Sequence, residues 1–206
     1  MNSDNLVGIT LGNRYDMLEK IGTGGMATVY KAKDTLLNRY VAIKILRDSL
    51  EGEEQVVSNF IKEAQSSASL VHNNIVSVYD VGEEGGLNYM VMEYVDGIPI
   101  NNFDKLRAAG YDLEEIGKKI LDNYATQVLD HGFFHADPHP GNMLVRDGKI
   151  VYIDLGMMGR LSARDRAGFG AIINAVGMQS SSELKDALLA FAIQRDNGAI
   201  DHTRFL

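Results

Sequence analysis

A glycine cluster set between two strand-like runs most constrains this chain. Residues from Tyr15 read YDMLEKI, then Gly22-Thr23-Gly24-Gly25 and Met26, then ATVYKAKD. The alternation on both sides predicts a hairpin with a glycine-rich tip. A glycine loop that binds a dinucleotide leads from a strand into a helix, so strand–glycine–strand excludes that arrangement. It fits instead a flap whose backbone lies close to phosphate oxygens, an approach open only where no Cβ intervenes. Taken alone, such a tip is equally an ordinary turn.

The next segments turn the flap into a site. YVAIKIL is a third strand, and its alternation puts Ala42 and Lys44 on one face and Val41, Ile43 and Ile45 on the other. A lysine in an apolar strand is costly to bury unless paired. Residues 51–70 shift to helical spacing, with Val56, Phe60 and Ala64 at i, i+4 and i+8. Glu63 shares the face of Phe60 and Ser67 and is the natural partner of Lys44. The plainer alternative is a solvated lysine and a surface glutamate; the glycine tip upstream favours the pair. IVSVYDVGEEGGLNYMVMEYV adds two strands around a turn at Glu83 to Gly86. Five strands and one helix are thus expected by about residue 95, after a flexible leader over 1–13.

Beyond this point the pattern is mainly helical. Leu113, Ile116, Ile120, Tyr124 and Val128 form one stripe of a helix over 112–131, started by Asp112 and Glu115 and stopped at Gly132. MLVRDGKIVYID is a tight hairpin turning at Asp147-Gly148. That register sets Arg146 opposite Lys149 and Asn142 opposite Ile153, so Asn142 and Asp154 are neighbours at its open end. An amide oxygen beside a carboxylate makes a hard-oxygen site suited to Mg²⁺, completed by phosphates and water. Asp137, on the proline-stiffened loop before Asn142, is placed to accept a proton or orient a nucleophile. Aspartate and asparagine near turns often only cap or bend the chain; three converging groups favour chemistry. His135 and His139 are four apart, but Pro138 and Pro140 preclude the helix that would make them a metal pair. Two amphipathic segments, 162–177 and 182–194, follow.

Composition narrows partners. The net charge of −8 over 206 residues argues against nucleic acid as a partner. The absence of cysteine excludes disulfides and thiolate metal sites. No signal peptide or apolar run long enough to span a membrane is visible, which predicts a cytoplasmic protein.

These motifs resemble two branches of the protein-kinase-like superfamily. Residues 14–95, with IGTGGMATVY, VAIK, FIKEAQ, HNNIVSVYDVGE and YMVMEYVDG, are similar to the N-lobe of bacterial PASTA-type Ser/Thr protein kinases. Residues 96–206, with HGFFHADPHPGN and IDLGMMGRL, are similar to the C-lobe of the UbiB family of atypical kinases, associated with isoprenoid-quinone biosynthesis. The resemblance implies an α+β, bilobal kinase-like fold: a five-stranded antiparallel N-lobe with one helix and a shortened, mainly helical C-lobe. It implies that Lys44 holds the α/β-phosphates of ATP with Glu63 as its partner, under a loop containing Gly22, Gly24 and Gly25. Ile21, Val29, Ala42, Met92 and Leu144 would sandwich the adenine, with hinge groups from Glu93 and Val95. Asp137 would be the catalytic-loop aspartate, and Asn142 and Asp154 the Mg²⁺ ligands.

The chain departs from both patterns. Ala136 replaces the arginine of H-R-D, His139 stands where a catalytic-loop lysine would be, and no A-P-E segment follows Asp154-Leu155-Gly156. Ser162 is the single hydroxyl of MMGRLSARDR, so control by activation-loop phosphorylation is not expected, and Ser162→Ala should be near neutral. The implied activity is a Mg-dependent phosphotransferase, a Ser/Thr protein kinase first, acting on a hydroxyl of a protein, small molecule or lipid. A UbiB-like ATPase or small-molecule kinase and a nucleotide-binding pseudokinase are the alternatives.

Overall fold

The computed structural model describes residue 3, residues 5–47 and residues 54–191. It is an α+β structure whose contacts divide into two compact units. One holds the chain up to Ile116 together with Pro138–Gly156; the other holds Gly117–Asp137 together with the chain from Met157. The division therefore does not fall at 95/96, because the 143–152 hairpin packs with the first unit.

The first unit is built on an antiparallel sheet. Its strands are β1 (Thr10–Leu11), β2 (Tyr15–Thr23), β3 (Ala27–Asp34) and β4 (Arg39–Leu46), then, after helix α1 (Glu54–Ala68), β5 (Val78–Glu84) and β6 (Leu87–Glu93). The order is β1-β2-β3-β4-β6-β5. The helix separates β4 from β5, and the β5–β6 hairpin turns back at Gly85-Gly86, both at positive φ, to lay β6 against β4. Register shifts between Met17 and Glu19 and between Lys20 and Gly22 mark bulges in β2, which increase local twist.

Both faces of the sheet are buried, as the alternation in β4 requires. Val41, Ile43 and Ile45 join Tyr15, Met17, Tyr30, Leu87 and Val91 in one core; Ala42 and Leu46 join Phe60, Ala64, Met90 and Met92 in the other. The first core corrects the expectation of a flexible leader and of a five-stranded sheet. Leu6 and Leu11 are fully buried in it, and Gly8 N–H and Met17 N–H exchange hydrogen bonds with Met17 O and Ile9 O at 2.8 and 2.9 Å. Leu6, Ile9 and Leu11 supply the apolar cover, and Thr10–Leu11 adds a sixth strand.

Asp34 anchors the turn from β3 to β4. Its fully buried carboxylate accepts from Arg14 Nε and Nη2 at 2.9 and 2.8 Å and from the N–H groups of Leu36 and Leu37.

After β6 come β7 (Ile98–Pro99), α2 (Phe103–Ala108) and α3 (Leu113–Ala125). Later in the chain, β9 (Met143–Arg146) and β10 (Lys149–Tyr152) follow β8 (Phe133–His135) and form the hairpin, with β7 on the β9 edge. Asp147 and Gly148 both have positive φ and Arg146 faces Lys149, the type I′ turn expected. Tyr152 N–H donates to Asn74 O at 2.8 Å and Val76 N–H to Tyr152 O at 2.9 Å, fixing the hairpin to the segment before β5.

In the second unit the helix expected over 112–131 does not stay α. From Thr126 to His131 it widens into a π turn, closed by the N–H of Gly132 on Gln127 O. Gly132 is left-handed, with φ 63°, and a Cβ there would lie 2.7 Å from Arg166 Cδ and 3.1 Å from Leu161 O, which favours glycine. β8 pairs with β11 (Met158–Arg160), and α4 (Ala163–Gly177) packs on α5 (Ser181–Phe191). The last residues of the segment expected over 182–194, 192–194, lie outside the described residues, as do 51–53 of the helix expected over 51–70.

Candidate active site

The site in the first unit centres on Lys44. Strand register sets Lys44 between Val29 of β3 and Met90 of β6, on the sheet face that α1 covers. Its Nζ lies 2.8 Å from Glu63 Oε1 and 3.2 Å from Asp154 Oδ2. The three side chains are 14%, 17% and 34% exposed. One ammonium between two carboxylates leaves a net charge of −1. Burial pulls the Lys44 pKa down, but Asp154 and Glu63 outweigh it and the net shift is upward.

Asp154 arrives here because β10 is pinned to residues 74–76. Its second oxygen, Oδ1, accepts from Gly156 N–H at 2.9 Å. A Cβ on Gly156 would stand 3.1 Å from Asp154 Oδ1 and 3.1 Å from Glu63 Oε2. The absent side chain lets the 154–156 turn close onto Glu63. Asn142 ends the short helical turn Pro140–Asn142, and its carbonyl accepts from Ile153 N–H at 2.9 Å. The backbones of Asn142 and Asp154 are therefore adjacent at the mouth of the hairpin.

Gly22 lies across from Val29, and Gly24 and Gly25 form the tip between β2 and β3, where Gly24 N–H donates to Ala27 O at 2.8 Å. Ala42, Met92 and Val95 are buried in the core on the Lys44 face, with Val29 and Leu144 packed against it. Ile21 is not brought into that cluster and is 45% exposed. Glu93 N–H is engaged, donating to Ser77 O at 2.8 Å.

Asp137 belongs to the second unit. Its N–H donates to Nδ1 of the buried His135 at 3.2 Å. His139 Nδ1 accepts from Gly141 N–H at 3.0 Å. Both histidines thus use a ring nitrogen locally.

Three contacts escaped sequence reasoning. One is the Lys44–Asp154 pair; Asp154 was expected only as a metal ligand. Another joins Glu93 Oε1 to Arg146 Nη1 at 2.6 Å, tying the end of β6 to β9. The third is Gln127, whose Oε1 accepts from His135 N–H at 2.9 Å. No spacing signals any of the three: the first two join distant segments, and Gln127 sits among other polar residues, Asn123, Thr126, Asp130 and His131, so nothing singles it out.

The family model for the ABC1 atypical kinase-like domain matches residues 53–187. The chain belongs to the ABC1 atypical kinase-like family. The ABC1 match begins well before residue 96, at the helix carrying Glu63. Relatives of the typical kind overlap it. A probable serine/threonine-protein kinase of Clostridium acetobutylicum is 41% identical over 164 residues, covering 74% of this chain and 23% of the relative. The serine/threonine-protein kinase PrkC of Bacillus subtilis is 35% identical over 190 residues, covering 89% and 28%. The chain spans about a quarter of the length of these curated relatives. Among solved structures, the PknI kinase domain of Mycobacterium tuberculosis, in a doubly mutated form, matches with a TM-score of 0.56 at 25% identity, over 72% of this chain and 60% of that one. The ABC1 match and these kinase relatives together place the chain in the protein-kinase-like superfamily. Both likenesses run across residue 95, so neither stops where the sequence motifs change.

Proposed function

We propose that this chain binds ATP with Mg²⁺ and transfers the terminal phosphoryl group to a hydroxyl, as a Ser/Thr protein kinase. The observation that carries this is Lys44 held between Glu63 and Asp154. A buried, doubly paired ammonium is aimed rather than free, and its position on the sheet face beside the glycine tip suits phosphate oxygens.

The donor set fits both groups. Val29, Ala42, Met92 and Leu144 offer apolar surface for an adenine, with Ile21 at the exposed edge and Glu93 and Val95 supplying backbone. Gly22, Gly24 and Gly25 leave room for phosphate oxygens near main chain. The net charge of −1 around Lys44 suits a cation, and Asp154 and Asn142 are hard-oxygen donors. Mg²⁺ held there would neutralise charge on the phosphate oxygens. Asp137 accepts the proton of the acceptor hydroxyl or orients it.

A second reading has an observation of its own. The ABC1 family match covers HADPHPGN, and Ala136 removes the arginine of H-R-D. Both favour an ATPase or small-molecule or lipid kinase of the atypical kind. Purified protein incubated with γ-labelled ATP, in separate reactions with a generic protein substrate and with anionic lipid vesicles, decides between them. Labelled protein supports the Ser/Thr kinase. Lipid-stimulated phosphate release or labelled lipid supports the atypical reading. Nucleotide binding without turnover in any arm would contradict both and leave a pseudokinase. Among the described residues no helix is long and apolar enough to cross a membrane; the proposed site of action is the cytoplasm.

A further inference from the structure

The loop 135–137 is held from outside by one side chain of the preceding helix. Its three backbone N–H groups are each engaged. Ala136 N–H donates to Met157 O at 2.8 Å, and Asp137 N–H to His135 Nδ1 at 3.2 Å. His135 N–H donates to Gln127 Oε1 at 2.9 Å. The Gln127 amide is itself oriented, because its Nε2 donates to Asn123 Oδ1 at 2.7 Å. A backbone N–H demands an acceptor, so the amide oxygen must face His135 and the nitrogen must face Asn123.

The π turn gives Gln127 this reach. Its carbonyl bonds Gly132 N–H, five residues on rather than four. The extra residue in one turn rotates everything that follows by about 100° around the helix axis. Gly132 then turns left-handed, and Leu161 N–H donates to its carbonyl at 2.7 Å, sending β8 back past Gln127. π turns are rare and persist where something repays their looser bonding. Here the return is a relay, Asn123 to Gln127 to His135 to Asp137, within a single unit.

We infer that Gln127 is a positioning residue for Asp137, acting through His135, whose backbone N–H it holds and whose Nδ1 accepts from Asp137 N–H; this rests on the proposed role of Asp137. The test compares Gln127→Ala and Gln127→Glu, reading turnover of Mg·ATP and amide hydrogen exchange at His135 and Asp137. Glutamate keeps the acceptor for His135 and loses the donor to Asn123. Gln127→Ala is expected to lower kcat by roughly tenfold while KM for ATP stays within about twofold. Exchange at both amides should quicken by roughly tenfold, and Gln127→Glu should restore most of both. Alanine behaving like wild type in exchange and kcat overturns the inference. So does a loss that glutamate does not rescue, or a KM that rises as kcat falls. Asp137→Asn separates the two claims: unchanged kcat in that variant refutes the proposed base, while the exchange result still decides whether Gln127 holds the loop.

Discussion

At Lys44, burial and charge pull in opposite directions, and charge wins. A pKa raised in the folded state means the pair's contribution is complete below the ordinary lysine value of 10.5 and is lost only as pH rises through the raised one. The Lys44 charge is therefore expected to persist across neutral pH. Lys44→Met leaves two carboxylates facing each other. We expect a loss of roughly 2–3 kcal/mol, below the figure for a fully buried pair because Asp154 is a third exposed, measured by urea denaturation. Gly156→Ala tests the same cluster without touching a charge. Its Cβ, 3.1 Å from oxygens of both Asp154 and Glu63, would push one or both aside by a few tenths of an ångström. The fold should survive, while the stabilisation given by Mg·ATP should shrink; an unchanged nucleotide response would show that the close approach does not matter. The pairing of Lys44 with Glu63 was legible because two periodicities, 2 in β4 and 3.6 in α1, each fix a face. The contact with Asp154 was not, since it depends on β10 docking against residues 74–76.

Single elements carry two further expectations. Ser162 was read only as a possible phosphate acceptor, yet it caps α4: it accepts from Asp165 N–H at 3.1 Å, and Asp165 reaches back to its backbone N–H. Ser162→Ala should cost about 1 kcal/mol of stability and lower Tm by a few degrees, while activity at permissive temperature stays near that of wild type. Phosphatase treatment should likewise leave activity unchanged; a tenfold loss would point to loop control of the ordinary kinase sort. At the β3–β4 turn, the bonds from Arg14 outweigh burial and hold the Asp34 carboxyl down to about 2. Its stabilisation is present above the ordinary value of 3.8 and is lost as pH falls from there through about 2. Asp34→Asn should lower Tm by several degrees at pH 7 and flatten the fall in stability below pH 4. β3 was readable from its alternation, β4 from one lysine in an apolar run, and the 143–152 hairpin from its Asp147-Gly148 turn. The π turn was not, because its stripe of Ile120, Tyr124 and Val128 is the same for either helix and the partner of Gln127 lies beyond the helix end. The segment before Tyr15 was misjudged because its apolar run, Leu6 to Leu11, is short and broken at Gly8 and Gly12, although the open sheet face needed it.

For the whole molecule, the α+β fold and its kinase-like kinship follow from motifs dense enough to read directly. The two compact units do not divide at residue 95, since the segment bearing Asn142, Leu144 and Asp154 belongs to the unit of the sheet bearing Lys44. Residues of both sequence dialects thus occupy one compact unit, which explains how a chain with an atypical HADPHPGN loop retains the Lys44–Glu63 pair of the typical kinases. The central claim is that this cluster grips Mg·ATP. A thermal scan with and without Mg·ATP tests it most directly, on wild type, Lys44→Ala and Asp154→Asn. At a hundredfold excess over Kd a ligand of the native state adds about 2.7 kcal/mol, which for a chain of this size corresponds to roughly 5 °C or more. Wild type should show that shift, Lys44→Ala should lose most of it, and Asp154→Asn should lose its dependence on Mg²⁺. No shift in wild type at millimolar nucleotide, or an undiminished shift in Lys44→Ala, would contradict the account.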